Sequence, residues 1–147
     1  MTASAGGSRA PAAGALVLGA ALLGLGGLFL SRPREAAHLF GLPVQGAGED
    51  YVRALGVRDL ALAGGLAMSA SASPKSLAAV SGLAAMIPVA DAALVRARRG
   101  SPAAVMLHAA SAAALAVLSV AAWRSGTRQE RAARRARGLD PGLADLT

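Results

Sequence analysis

The sequence of 147 residues contains no cysteine and only four aromatic side chains: one Trp, one Tyr and two Phe. Without cysteine there is no disulfide scaffold, no thiolate metal site and no cysteine nucleophile. The redox compartment stays open. Lysine is nearly missing too, with Lys75 alone beside fourteen Arg. Charged residues make up 16% of the chain, against roughly 25% in an ordinary soluble domain. No stretch shows the alternation or β-branched enrichment that signals strands. The length suits one domain with a real core and is too short for two ordinary ones.

What the chain has in abundance is Ala, with 39 residues, and Gly, with 18. An excess of Ala, Gly and Arg with almost no Lys is what GC-rich coding produces, so the mean hydropathy of +0.50 is weak evidence. Run length is the better test, because a bilayer needs about 18 or more apolar residues and a buried soluble helix only about 10–14. Residues 11–31 carry no charge over 21 positions, and residues 100–123 none over 24, with one His. Residues 51–70 are apolar apart from Arg53, Arg58 and Asp59, and residues 76–95 apart from Asp91. Each run makes a helix of about 30 Å, the thickness of the hydrocarbon layer.

The punctuation fits helices. Ser73-Pro74 and Ser101-Pro102 each place a Ser at the N-cap and a Pro at the first helical position. Short turns around Lys75 and over residues 96–101 imply neighbours of opposite direction. The expected fold is all-α: an integral membrane bundle of four transmembrane helices, near 11–31, 51–70, 74–96 and 101–123, with antiparallel up-down connections. An N-terminal tail (1–10) and a basic C-terminal tail (124–147), partly disordered, flank this membrane domain. A signal peptide is the poorer reading of the first run: only Arg9 precedes it, Arg32 and Arg34 follow it, and no small-x-small cleavage site closes it. A soluble bundle would need polar helix faces, which the first and fourth runs lack.

Lipid supplies no hydrophobic drive between helices, so close packing at small residues is expected to hold them together. Ala15/Gly19, Ala20/Gly24 and Gly64-Gly65 are the candidates. Basic residues at helix ends set orientation. Arg9, Lys75 and the arginines at 124, 128, 131, 134, 135 and 137 make eight on one side. Arg32, Arg34, Arg53, Arg96, Arg98 and Arg99 make six on the other. That balance places both termini of a multi-pass cell-membrane protein in the cytoplasm. The tail lacks interleaved aromatics, so nucleic acid is not an expected partner. The expected partners are the bilayer and its anionic headgroups, each basic residue near the surface being worth about 1 kcal/mol.

The informative residues are the ionisable ones inside the runs, since a charge at mid-bilayer costs roughly 2.5–3.5 kcal/mol and needs a partner. Asp59 and Asp91 each lie 16 positions from Lys75, while Asp91 and His108 lie 9 and 8 from Gly100. Positions equidistant from a hairpin turn share a depth, so Asp59, Asp91, His108 and Arg58 should form one layer, about 10–12 Å below the surface bearing the arginines at 96–99. Ser101, Ala104, His108, Ser111, Leu115 and Ser119 recur on one helical face. Pro88 precedes Asp91 by three positions and leaves the Ala84 carbonyl without its donor, which opens room there. Ser81 falls on the same side.

Two readings of the layer stay open. Arg58 neutralises one carboxylate and His108 bonds the other, locking three helices together. Alternatively, two carboxylates, a guanidinium and an imidazole form an acid/base site, as in an isomerase or cyclase acting on a lipophilic small molecule. Asp59, Asp91, His108 and Arg58 are the candidate catalytic residues. One His and two Asp beside an Arg are a poor ligand set, so no metal is expected, and no cofactor. A solute or proton carrier is a third option, and it would need a homo-oligomer to enclose a path.

Between the first two runs, residues 34–40 read as a short interfacial helix ended by Gly41, with Leu39 and Phe40 dipping into the headgroup boundary and Arg34 and Glu35 in water. Glu49 and Asp50 suit the positive end of the next helix, and Glu49 pairs with Arg53 four positions on. His38 reads as solvated. Arg32-Pro33, then Phe40-Gly41-Leu42-Pro43, then Gly56-Val57-Arg58-Asp59-Leu60-Ala61-Leu62 and an embedded Asp91 resemble domain-of-unknown-function family 4267, small four-helix membrane proteins. The resemblance spans roughly residues 12–123. Gly64-Gly65 departs from it by one inserted Ala63. It implies an integral membrane protein of common topology and supplies no catalytic residues.

Overall fold

The computed structural model describes residues 9–40, 42 and 48–137. Among the described residues five helices follow one another: α1 (Arg9–Ser31), α2 (Pro33–Leu39), α3 (Gly48–Ala72), α4 (Pro74–Ala97) and α5 (Pro102–Ala136). There is no strand among the described residues. α1, α4 and α5 are long and apolar enough to cross a bilayer, which fits a membrane protein. α3 has the length but not the apolarity. Its 25 residues include Glu49, Asp50, Arg53, Arg58 and Asp59, the charges that interrupt the second run in the sequence.

Both Ser-Pro signals act as expected. The Ser73 hydroxyl accepts from the Ser76 N–H at 3.0 Å, and the Ser101 hydroxyl from the Ala104 N–H at 3.1 Å, which satisfies donors that a helix start leaves free. Ser73 is the single non-helical residue between α3 and α4. α4 ends differently. The Arg99 N–H donates to the Arg96 carbonyl at 3.0 Å and the Gly100 N–H to the Val95 carbonyl at 2.8 Å, the pairing of a Schellman ending. Arg99 takes the left-handed position at φ 54°, where glycine is usual.

α4 packs most extensively on α5 and α1 on α3, while α3 meets α4 and α1 meets α5 over smaller surfaces. The α1–α3 approach is tight at a glycine pair outside the expected small-residue candidates. A Cβ on Gly26 would lie 2.9 Å from the Gly56 carbonyl oxygen, so the two backbones touch. Of the expected small pairs, Ala15 and Gly19 are buried, and Gly19 faces the Ala63 carbonyl. Ala20 and Gly24 point outward, and a Cβ on Gly24 or Gly64 would meet nothing within 4 Å. The two pairs are five positions apart in sequence, about 140° around the helix, so they have the same spacing on different faces and the motif alone could not choose between them.

Two cores result. One joins Ala15 of α1, Leu66 of α3, Leu77 and Ala78 of α4, and Leu115 and Leu118 of α5. The other gathers Phe29, Ala36, Ala37, Phe40 and Val52 around α2. The expected placement of Phe40 at the headgroups is corrected: Phe40 is buried, and only Leu39 of that pair is exposed. α2 lies against α1 and α3, which gives Phe40 an apolar seat inside the protein. Arg34 pairs with Glu49, and Glu49 also takes the expected pair with Arg53 at 3.8 Å. Gly41 and Pro43 of the connecting segment, with residues 1–8 and 138–147, lie outside the described residues.

The helix expected to stop at Trp123 continues to Ala136, making α5 35 residues long, or about 52 Å, well beyond the hydrocarbon thickness. Eight of residues 124–136 are Arg or Ala, and Gln129 and Glu130 add to them, all good helix formers, and the first part of this extension is anchored on α4. The Lys75 ammonium bonds Glu130 at 2.6 Å and sits 5.4 Å from the centre of the Trp123 ring. Gly126 is buried, with Lys75 Cγ 3.0 Å from where its Cβ would be.

Candidate functional site

Arg58 and Asp59 follow Gly56 by two and three positions on α3. The close crossing at Gly56 therefore fixes where they stand. Asp59 faces inward and is 4% exposed. The Arg58 side chain, 31% exposed, lies along α3 so that its Nε donates to Asp59 Oδ1 at 3.1 Å and its Nη1 to Asp91 Oδ2 on α4, also at 3.1 Å. Asp91 Oδ2 in turn lies 4.0 Å from His108 Nδ1 on α5, beyond a direct hydrogen bond. The four residues expected at one depth do come together across three helices.

The arrangement differs from the packing lock in one respect. Arg58 serves both carboxylates, and His108 stands beside Asp91, which is already paired, rather than beside the remaining acid. Two carboxylates and one guanidinium leave one negative charge when His108 is neutral. His108 Nε2 is buried and has no hydrogen-bond partner among the described residues. An unmade buried bond costs about 1–3 kcal/mol, and a polar cluster that serves only packing is normally fully satisfied.

Beside the cluster is a cavity of about 450 Å³ bordered by Arg58, Asp59, Asp91 and His108, within the roughly 300–1,000 Å³ of small-molecule sites. Leu25 and Phe29 of α1, Leu55 and Leu62 of α3, and Leu115 of α5 form apolar walls. Pro88 lines it, as expected of the room near Asp91, and α4 runs through Pro88 without a break. Tyr51, Leu94 and Arg98 border it and are exposed, so the cavity opens where α3 begins and α4 ends.

Phe40 is the residue the sequence reading misplaced. Its ring is 5.1 Å from that of Phe29 and 5.6 Å from that of His108, so α2 closes one side of the site. The motif around Phe40 marked it, but only the fold of α2 onto its neighbours brings it to His108. Along the expected serine face, Ser111 borders the cavity, whereas Ser119 donates to the Ala78 carbonyl of α4 at 2.7 Å. Ser81 is buried and donates to the Leu77 carbonyl of its own helix at 2.6 Å, away from the cavity. His38 is exposed. Among the described residues no three His, Asp or Glu side chains converge as a metal site would require.

Residues 19–123 match the family model described as a domain of unknown function, DUF4267. No curated protein and no solved structure matches the chain. The match takes in the Gly26–Gly56 crossing, α2, the ionic cluster and the cavity walls, and it stops at Trp123, before the extension of α5. The chain belongs to the DUF4267 family.

Proposed function

We propose that this protein is a four-span membrane protein that binds a lipophilic small molecule carrying one polar group in the cavity between the α1–α3 and α4–α5 pairs. The observation that carries this reading is the cavity itself: apolar walls converge on one ionic cluster that is not fully satisfied. α3 serves as the fourth span despite its charges. Asp59 is buried and Arg58 is turned to Asp91, while Val57 and Met68 face outward, as a charged helix in lipid requires. Contacts of 26 with 56 and 19 with 63, of 58 with 91, and of 78 with 119 support antiparallel neighbours. The eight-to-six distribution of basic residues favours both termini in the cytoplasm.

The test is extraction of the protein from its own membranes, followed by mass spectrometry of the hydrophobic small molecules it carries. Parent protein should bring one such molecule in near-stoichiometric amount, and Ser111→Phe, which fills the cavity from an exposed position, should lose it while keeping its helical content. A parent without any such molecule, or an unchanged amount in Ser111→Phe, overturns the reading.

A second reading adds chemistry. Asp91 and His108 border the same cavity 4.0 Å apart, a pair suited to moving a proton on a bound isomerase or cyclase substrate. Asp91→Asn and Arg58→Gln, made separately, distinguish the two. Folded variants that lose a lipophilic product support catalysis, and folded variants that leave membrane metabolites unchanged remove it.

A further inference from the structure

On the face opposite the α3–α4 contact, α1 and α5 lie beside each other with little direct packing, and a groove of about 700 Å³ runs between them. Val17 and Leu18 of α1 and Val117 and Leu118 of α5 form its walls. At one end stand Arg124 and Arg128, one helical turn apart on α5 and both exposed. Neither has a carboxylate partner among the described residues, in contrast to Lys75, which holds Glu130. The first turn of α1, with Ala10 and Pro11, borders the same end, where the helix dipole is positive.

Depth makes the groove specific. Trp123, 55% exposed, lies directly before Arg124, and a Trp with a flanking cation is typical of the headgroup level. The apolar walls extend from there to Ala114, about 15 Å along the helix, which is half the hydrocarbon thickness of about 30 Å. A groove one leaflet deep, apolar along its length and cationic at the headgroup end, has the shape and charge of one phospholipid. We infer that this groove is a binding site for an anionic phospholipid, with an acyl chain between α1 and α5 and the phosphate held by Arg124 and Arg128. A guanidinium pair suits a phosphate through charge-assisted, bidentate hydrogen bonds. The site is separate from the central cavity, with which it shares no lining residue.

The test is native mass spectrometry of the full chain titrated with phosphatidylglycerol or phosphatidylcholine of the same acyl chains. Phosphatidylglycerol should bind at least fivefold more tightly. That preference should vanish in Arg124→Gln/Arg128→Gln, and Ala121→Phe, which fills the groove from an exposed position, should abolish retention of either lipid there. Arg131→Gln/Arg137→Gln should leave the preference intact, since neither residue borders the groove. Equal binding of the two lipids overturns the proposal. So does an equal loss in the Arg131/Arg137 pair, which would mean diffuse attraction to a basic helix. Undiminished phosphatidylglycerol binding by Ala121→Phe, or equally tight binding of glycerol phosphate without acyl chains, overturns it as well.

Discussion

Gly26 and Gly56 meet backbone to backbone: a Cβ added at Gly56 would fall 2.8 Å from the Gly26 carbonyl oxygen, and one added at Gly26 would fall 2.9 Å from that of Gly56. No rotamer change relieves such a contact, because both sides are main chain. The crossing holds α3 on α1 and, three residues on, sets Asp59 facing inward. The glycine of the Gly-x-Arg-Asp sequence thus positions the acid of the same motif.

Gly26→Ala and Gly56→Ala should each lower stability by about 1–3 kcal/mol, the cost of overpacking a close contact. Gly24→Ala, in the same helix with open space around it, should be neutral or raise stability by up to about 1 kcal/mol, since Ala is the better helix former. Thermal unfolding of the three variants in one detergent measures the difference. Equal behaviour of Gly24 and Gly26 variants would deny the crossing.

Arg58 is the cation shared by two acids on different helices. Arg58→Gln leaves the buried Asp59 carboxylate and Asp91 without their partner, and breaking such a pair costs about 3–5 kcal/mol. With the Arg58 side chain 31% exposed, solvent screening should bring the loss to the lower end, about 3 kcal/mol or less. Arg58→Lys should recover only part of it, because a single ammonium lacks the planar fork that serves both carboxylates. Adding Asp59→Asn to Arg58→Gln should restore stability relative to Arg58→Gln alone, since one of the stranded charges is gone. Unfolding midpoints of the four proteins in nanodiscs check the order.

Phe40 and Leu39 are adjacent and opposite in environment, one buried and the other 64% exposed. Phe40→Ala removes the ring between Phe29 and His108 and should cost about 3 kcal/mol or more. Leu39→Ala should change stability by less than about 0.5 kcal/mol. Were α2 an interfacial helix resting on lipid, the two substitutions would act alike on membrane association and neither would unfold the bundle. Denaturation with membrane partitioning measured alongside separates the two outcomes.

Much of the architecture was legible before the fold was known. Apolar run length located the four long helices, two of them by runs without any charge, and the Ser-Pro pairs marked the starts of α4 and α5. Counting from the turns brought Asp59, Asp91, His108 and Arg58 into one layer, because a fixed rise per residue makes depth additive along a hairpin. Three features escaped that reasoning. Small-xxx-small spacing is the same on every face of a helix, so it favoured Ala20/Gly24 as readily as Ala15/Gly19 and missed Gly26–Gly56. Phe40 carried no local sign of its partners, which come from α1 and α5. The arginines after Trp123 read as a tail because their charge excludes them from lipid, yet the same residues are good helix formers and extend α5.

By itself, then, the sequence determined the all-helical class, the positions of the long helices, the Ser-Pro starts of α4 and α5, and the grouping of Arg58, Asp59, Asp91 and His108, all of which follow from local periodicity and distance along one chain. The tertiary structure decided which small residues touch, that one guanidinium spans two carboxylates, that Phe40 reaches His108, and that a central cavity and the α1–α5 groove are left between the helices. These depend on how each helix is rotated about its own axis. That rotation is chosen by the summed packing of all neighbours, and no short stretch of sequence encodes it.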